Sequence, residues 1–228
     1  MRIAEIYSSR QGEGFLTGTQ SVFVRASGCN LRCWFCDTPF TSWSPEGDDQ
    51  SVAEILDQVL GYDCEHVVIT GGEPMLFAEL LPLTAELRKQ HKHLTIETAG
   101  TMFLPVACDL MSISPKLANS TPSLERDPNW HRRHEQERHV PDVIRRLIAE
   151  FPFQVKFVVD RLCDLDDVAM YLREFSEIDP ARVLLMPQGT TAAELDMRAK
   201  WLEPACAARG WNYCPRKHIE WYGHVRGT

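Results

Sequence analysis

The sequence lacks a long apolar run and lacks an excess of positive charge. None of its apolar stretches approaches the roughly 20 residues that a membrane-spanning helix needs, and the first residues, MRIAEIYSSRQGEG, become polar too early for a signal peptide. A formal net charge of −8 argues against a general nucleic-acid binder, which needs a basic face to neutralise phosphates. We therefore expect a soluble cytoplasmic protein without nucleic-acid or membrane partners. A small anionic substrate stays possible where a few cations converge.

Three of the eight cysteines are clustered, and no fourth cysteine lies next to them. Cys29, Cys33 and Cys36 fall in the stretch GCNLRCWFC (28–36), and no other cysteine lies nearby. In a reducing compartment, clustered cysteines indicate a metal before a disulfide. A structural zinc site takes four ligands, usually as two separated pairs. A [4Fe-4S] cube held by only three thiolates keeps one iron open for a small chelating molecule. The five scattered cysteines are interpreted as inert: Cys64, Cys108, Cys163, Cys206 and Cys214.

Short apolar runs alternate with helical patterns along most of the chain. Strands are predicted at 21–27, 66–70, 93–98, 108–114, 153–159 and 182–187. Helical patterns lie at 51–62, 77–90, 141–150, 164–175 and 191–209. This alternation predicts an α/β fold with a mostly parallel sheet and right-handed crossovers. Six strands are too few for an eight-stranded barrel, so we expect a partial, incomplete TIM-like barrel, with residues 1–228 as one domain.

Residues 121–142, TPSLERDPNWHRRHEQERHVPD, interrupt the alternation with prolines and mixed charge. Their histidines, His131, His134 and His139, are possible metal ligands. The residues around these histidines are neither rich in other metal ligands nor apolar, so we interpret the segment as a solvated surface segment.

Polar motifs directly follow four of the predicted strands: TGGEP after HVVI, ET after HLTI, SPK after LMSI and PQG after VLLM. In parallel α/β folds, ligands bind where strands end. Glycine and proline alone would indicate only turns, but turns do not explain the accompanying Glu73, Glu97 and Lys116. The sequence therefore predicts a binding site at the carboxyl ends of the strands.

These motifs carry a family resemblance. CNLRCWFC, with Phe35 before the third cysteine, resembles the signature of radical S-adenosylmethionine (radical SAM) enzymes, and TGGEP resembles their second motif. The resemblance implies a [4Fe-4S] cluster whose open iron is chelated by the amino and carboxylate groups of SAM, with a fold of the radical SAM type. Two alternatives stay open: another small radical SAM enzyme, such as a glycyl-radical activase, and a non-enzymatic iron–sulfur or zinc module.

Over the first half of the chain, the sequence resembles one particular family of radical SAM enzymes. The stretch RQGEG to FTSW (10–43), followed in order by ITGGEP, IETAGT and SPKL, is similar to the 7-carboxy-7-deazaguanine synthase family, closely over residues 5–118 and loosely beyond. It implies a lyase that converts 6-carboxy-5,6,7,8-tetrahydropterin to 7-carboxy-7-deazaguanine and ammonia in queuosine and deazapurine biosynthesis. It also implies a homodimer that uses Mg²⁺ and an external electron donor such as flavodoxin.

The same resemblance implies the site residues. Arg25 would hold the substrate carboxylate, for which a planar guanidinium offers two parallel donors. Thr38 would be an oxygen ligand of Mg²⁺, and both residues are interpreted as catalytic. The other substrate-binding candidates are Arg10, Gln11, Gly12, Thr70, His218 and Thr228, while a contribution of Glu13 is less defined. The SAM-binding candidates are Phe35, Cys36, Asp37, Gly72, Glu73, Ser114, Pro115 and Lys116, with Glu97, Thr98 and Gln188 as candidates near the ribose and adenine.

Overall fold

The structure is a computed structural model that describes all residues 1–228. Its strands are β1 Arg2–Arg10, β2 Gln20–Ala26, β3 Asp48–Asp49, β4 His66–Gly71, β5 His93–Thr98, β6 Leu110–Ile113, β7 Phe153–Val159, β8 Val183–Pro187 and β9 Asn212–Tyr213. Its α-helices are α1 Val52–Leu60, α2 Leu80–Lys89, α3 Pro128–Glu137, α4 Pro141–Glu150, α5 Asp164–Glu174, α6 Ala192–Arg209 and α7 Lys217–Tyr222. The six predicted strands and the five predicted helices are all present.

All strands belong to one sheet, in the order β3-β1-β2-β4-β5-β6-β7-β8-β9. From β2 to β9 every neighbouring pair is parallel, whereas β1 is antiparallel to both β2 and β3. The edge strands β3 and β9 do not pair with each other, so the sheet stays open. The predicted partial barrel is therefore confirmed, with three additional strands at its two edges.

Side-chain alternation along the strands divides the sheet into two chemically different faces. The outer face contributes residues such as Val24, Ile69, Ile96 and Phe157 to the main core, which the helices cover. The inner face has polar side chains even where it is buried: the Gln154 amide donates to Ser112 Oγ at 2.8 Å. Because successive side chains point to opposite faces, one strand can serve the core and the inner surface at once.

The segment 121–142 is more ordered than the sequence indicates. Its prediction as a solvated surface segment is wrong at His134, which is fully buried on α3. Arg32 N–H donates to His134 Nδ1 at 3.1 Å, and the other ring nitrogen lies 2.9 Å from Ser120 Oγ. Asp127 caps the helix by accepting from two backbone amides, an N-terminus signal that the mixed charge obscured.

Four further elements, β1, β3, β9 and α7, were not predicted. Most side chains of β1 are half-buried, so its sequence shows no clean alternation, and β9 is only two residues long. None of the helices combines the length and the apolar character that crossing a bilayer requires.

Candidate active site

A cavity of about 520 Å³ opens at the carboxyl ends of the parallel strands. It is lined by every residue that the sequence predicted for the site except Glu73 and Pro115. The strands that contribute are β1, β2, β4, β5, β7 and β8, together with the loops that follow them and the loop after β6. A volume of this size suits small ligands and cofactors. The fold thus gathers residues that are up to 223 positions apart, from Glu5 to Thr228, around one cavity.

The cysteine loop leaves β2 and forms one wall of the cavity. Cys29, Cys33 and Cys36 all line it, and all eight cysteines of the chain are free thiols. Leu31 N–H points at Cys29 Sγ at 3.4 Å, and Ser42 Oγ lies 3.2 Å from Cys36 Sγ. Burial raises the pKa of Cys29 and of Cys33 to about 12, so nearby protein groups do not offset the desolvation of their thiolates.

This donor set fits an iron–sulfur cluster. Three soft sulfur ligands share one wall, and bound iron would supply the positive charge that ionises buried thiols. No three His, Cys, Asp or Glu side chains form a group suited to a single metal ion. The triplet therefore matches the three protein ligands of a [4Fe-4S] cluster better than a mononuclear zinc site.

The glycines of TGGEP allow this loop to contact the cysteine loop. A Cβ on Gly71 would collide with the Ala26 backbone, and one on Gly72 with the Gly28 carbonyl. Gly71 also has a φ of 130°, which favours glycine. The Glu73 amide donates to the Gly28 carbonyl at 2.8 Å. These contacts fix the two loops relative to each other.

Glu73 itself is fully buried behind the cavity wall. Its carboxylate accepts from Met75 N–H at 3.1 Å, from Thr98 Oγ at 2.8 Å and from Ala99 N–H at 2.8 Å. Burial raises the pKa of this carboxyl, and the three donors oppose the rise. In the structure its carboxylate holds the TGGEP loop, and a contact between Glu73 or Pro115 and the cofactor stays a prediction.

Arg25 reaches the cavity from β2 and is held from β1. A β-bulge between Ile3 and Glu5 brings Glu5 opposite Arg25 in the antiparallel register. Arg25 Nε donates to Glu5 Oε1 at 2.6 Å, and its Nη2 donates to Tyr7 Oη at 2.8 Å. The Tyr7 ring stacks on Phe23 with centroids 5.1 Å apart. The guanidinium is thus held in place by β1, while Nη1 has no protein partner.

A chain of charged side chains, most of them largely buried, runs along the cavity wall. Lys156 Nζ donates to Glu13 Oε2 at 2.9 Å and to Glu97 Oε1 at 3.0 Å, and Thr70 Oγ donates to Glu97 Oε2 at 2.7 Å. At its other end, Arg216 donates through Nε to Glu13 Oε1 at 3.1 Å and through Nη2 to Asp37. The chain of charges links the loop of Gly12, the cysteine loop, β5, β7 and the carboxyl-terminal segment.

The alternation of signs stabilises this network. Burial alone would raise the pKa of Glu13, but Lys156 and Arg216 outweigh it and hold that pKa well below its usual range. Burial likewise raises the pKa of Asp37, but Arg216 lowers it, and the net result is a lowered pKa. Burial lowers the pKa of His218 and outweighs the opposite effect of the neighbouring Glu13, which favours the neutral imidazole. The cavity therefore holds fixed charges of both signs.

The carboxyl-terminal segment covers part of the cavity. Lys217 N–H donates to the Gly12 carbonyl at 2.9 Å, and the His224 ring lies 3.0 Å from the Asp37 carbonyl. Arg226 donates to Glu5 Oε2 at 3.1 Å, so Glu5 joins this segment to Arg25. His218 and Thr228, which the resemblance indicated only as candidates, both line the cavity.

Several lining residues were missed by sequence reasoning. Lys156 had a detectable signal, because a lysine in the apolar strand FQVKFVV needs a buried partner. Arg216, Glu5 and Tyr7 had none, since their partners are distant in sequence or depend on the register of β1. Arg216 and Lys156 are 6% and 4% exposed, which marks them as parts of the cavity wall rather than surface cations.

Comparisons with known proteins agree with the family resemblance of the sequence motifs. The model of the radical SAM superfamily matches residues 23–115. The chain is 47% identical over 227 residues to the 7-carboxy-7-deazaguanine synthase of Rhodopirellula baltica, covering 99% of this chain and 88% of that protein. It is 43% identical to the protein of the same name from Halobacterium salinarum, covering 95% and 88%. The crystal structure of QueE from Escherichia coli superimposes with a TM-score of 0.70 at 26% identity, covering 95% of this chain and 94% of that one.

Proposed function

The chain belongs to the 7-carboxy-7-deazaguanine synthase family of radical SAM enzymes, and from this premise we propose how its own residues serve the reaction. It is a lyase that converts 6-carboxy-5,6,7,8-tetrahydropterin to 7-carboxy-7-deazaguanine and ammonia, in the queuosine pathway. One observation carries the assignment: the cysteine triplet and a pre-positioned arginine line the same cavity, so a cluster, SAM and a carboxylated substrate can share it.

Cys29, Cys33 and Cys36 would hold the [4Fe-4S] cluster. The bound cluster and SAM supply the one-electron chemistry that starts the reaction. The chain's contribution to SAM is a pocket made from strand ends, with Lys116 Nζ hydrogen-bonded to Ser114 Oγ at 2.7 Å at its edge. The remaining lining residues proposed to contact SAM are Phe35, Cys36, Asp37, Gly72 and Ser114 and, near the ribose and adenine, Glu97, Thr98 and Gln188.

Arg25 would bind the substrate carboxylate. Glu5 and Tyr7 already fix its guanidinium, so little side-chain entropy is lost when a ligand binds. Its free Nη1 offers a donor towards the cavity. A ligand whose carboxylate lies next to Nη1 gains a charge-assisted hydrogen bond. This bond is stronger in the cavity than in bulk solvent, because the cavity excludes much of the water.

The loop after β1 and the residues around it would bind the pterin. Gln11 is fixed by a hydrogen bond from its amide to Ser21 Oγ at 2.9 Å, and Gly12 packs so closely on His218 that a Cβ would collide with it. This packing leaves backbone groups of the loop next to the cavity, where they can hydrogen-bond a planar heterocycle. Arg10, Thr70 and Thr228 complete the proposed substrate-binding set.

Thr38 would provide one oxygen ligand for Mg²⁺. The hydroxyl lies at the cavity wall directly after the cysteine loop, 3.3 Å from Thr41 Oγ, which can orient it. Since no three protein carboxylates or imidazoles form an ion site, the ion would take its other oxygens from substrate and water. Homodimer formation and reduction by an external electron donor such as flavodoxin complete the proposal.

An anaerobic turnover assay tests this function. Cluster-reconstituted protein is incubated with the carboxy-tetrahydropterin, SAM, Mg²⁺ and dithionite, and product is followed by its chromophore and mass. We expect 7-carboxy-7-deazaguanine to form in the complete mixture and not in the absence of SAM. SAM cleavage without pterin-dependent product would contradict the substrate assignment, and a glycyl-radical activase is the alternative that it would leave.

A further inference from the structure

Arg216 is a buried arginine whose three nitrogen atoms bond to three different loops. Nε donates to Glu13 Oε1 at 3.1 Å in the loop after β1, and Nη1 donates to the Gly189 carbonyl at 2.6 Å in the loop after β8. Nη2 donates to the Asp37 carboxylate in the cysteine loop. A guanidinium suits this arrangement, because it is planar and its donors point in fixed directions. Arg216 thus joins loops that are far apart in the sequence.

The backbone on both sides of Arg216 is itself anchored. Cys214 N–H donates to the Leu185 carbonyl of β8 at 2.9 Å, and Lys217 N–H donates to the Gly12 carbonyl at 2.9 Å. The guanidinium therefore extends from a fixed position, and with 6% of the side chain exposed it is not a mobile surface cation. Its three contacts hold the loops at defined places relative to one another.

The loop after β1 (11–19) and the cysteine loop (27–38) have no direct hydrogen bond to each other. Hydrogen bonds of the loop after β1 go to its own residues, to Ser21, to β7 and to the carboxyl-terminal segment. Arg216 is the one side chain that hydrogen-bonds to both loops. The relative position of the two loops therefore depends on this residue.

Loss of Arg216 would act mainly on the connection to the cysteine loop. Asp37 forms its only salt bridge with Arg216, whereas Glu13 also pairs with Lys156 Nζ at 2.9 Å. Without Arg216, Glu13 would stay bonded to β7, and Asp37 would lose its partner. The loop after β1 would keep its own attachment to the sheet and lose its connection to the cysteine loop.

Each of the three loops carries proposed contacts to a different ligand. The loop after β1 contributes Gly12 to the pterin site, the cysteine loop contributes Cys36 to the cluster site, and the loop after β8 contributes Gln188 to the SAM site. The position of the pterin relative to the cluster and SAM thus depends on how these loops are held together. A misplacement of reacting groups by about 1 Å can lower a rate about 100-fold.

We infer that Arg216 is a positioning residue that fixes the pterin site relative to the site of the cluster and SAM. The inference rests on the proposed function, because it concerns the relative placement of two ligands of that reaction. It assigns no proton transfer to Arg216. Loss of Arg216 should leave both ligands able to bind and should lower the rate at which they react. This separates its role from that of Arg25, whose loss weakens binding of the substrate carboxylate.

Amide hydrogen exchange tests the connection in cluster-containing protein without SAM or pterin. Wild type is compared with Arg216→Gln and with Arg198→Gln as the matched control. Arg198 is 19% exposed and donates through Nε and Nη2 to Asp160 at 3.0 Å and 2.5 Å, but it does not line the cavity. We expect faster exchange in both 11–19 and 27–38 in Arg216→Gln, and in neither loop in Arg198→Gln, because local opening follows the loss of local contacts.

Kinetics and binding then separate positioning from binding. In the anaerobic assay with dithionite, Arg216→Gln should lower kcat at least ~10-fold, whereas Arg198→Gln should keep the wild-type value. The Kd of the pterin, measured by anaerobic calorimetry, should stay within about 3-fold of the wild type, as expected when the lost contact affects only the reacting geometry. Arg216→Lys keeps the charge but not the three directed donors, so it should recover Tm more fully than kcat.

A wild-type kcat in Arg216→Gln would overturn the inference, and so would unchanged exchange in both loops. Should the glutamine variant not fold, a wild-type kcat in Arg216→Lys would overturn it equally, because charge alone would then suffice. An equal fall of kcat in Arg198→Gln would show that the effect follows stability, and a pterin Kd raised as much as kcat is lowered would make Arg216 a binding residue; either result contradicts positioning. Absence of product with the wild type would contradict the proposed function, while the exchange comparison would still decide whether Arg216 joins the two loops.

Discussion

Replacing Lys156 by methionine tests whether the buried charge network supports the active site. The side chain is 4% exposed and bridges Glu13 and Glu97, whose carboxylates are 17% and 31% exposed. Methionine has a similar shape and no charge, so the variant keeps the packing and leaves the two carboxylates facing each other. Removing one partner of a buried ion pair costs about 3–5 kcal/mol. Since both carboxylates keep some solvent, we expect the lower part of that range.

The expected loss corresponds to a measurable shift in Tm. For a chain of this size, 1 kcal/mol lowers Tm by roughly 2–4 °C, so Lys156→Met should lose roughly 6–12 °C. Anaerobic thermal unfolding at neutral pH measures the full effect. The pKa of Glu13 is lowered in the folded state, so its stabilisation is complete above the ordinary value of 4.5 and is lost only as the pH falls towards the folded value.

A second substitution separates charge from shape. In Lys156→Met/Glu97→Gln, the carboxylate that has no other salt-bridge partner is removed as well, and we expect about half of the lost Tm to return. Lys156→Arg, which keeps the cation, should lose less than the methionine variant. A Tm for Lys156→Met within about 2 °C of the wild type, with no gain from the second substitution, would refute the argument that the lysine neutralises this wall.

Three further substitutions test the proposed site. Cys33→Ala should abolish both the cluster absorbance and turnover, whereas Cys163→Ala, at an exposed thiol, should change neither; a brown and fully active Cys33→Ala protein would contradict the cluster assignment. Thr38→Ala should blunt the rise in turnover that Mg²⁺ produces without altering cluster absorbance, and identical Mg²⁺ titrations of variant and wild type would show that Thr38 is not a ligand. Arg25→Ala should lower kcat/KM by at least ~10-fold, because a charge-assisted hydrogen bond contributes about 1.5–3 kcal/mol, and Arg25→Lys should lose less. Cleavage of SAM without substrate should persist in both Arg25 variants, and a loss of SAM binding with substrate binding intact would refute the assignment of Arg25 to the carboxylate.

The parts of the fold that the sequence predicted are those encoded by local patterns. The six parallel strands and five of the helices follow from apolar periodicity and from caps such as Ser51 and Glu54, whose capping box is present in the structure. The cysteine spacing and TGGEP are equally local, because the ligands of one cluster lie on one loop. α3 was missed since its only strong signal, the Asp127 cap, stands within a segment of mixed charge.

Tertiary structure decided which distant residues share the cavity and how their charges are balanced. No local pattern connects Arg216 with Glu13 and Asp37, or places Glu5 opposite Arg25, because these pairings depend on strand register and on the path of the carboxyl-terminal segment. The sequence alone therefore determined the cofactor chemistry, which needs a few thiols at fixed spacing. The orientation of the substrate-binding groups was decided only in the folded chain, because a buried charge can be held only by partners that the fold brings to it.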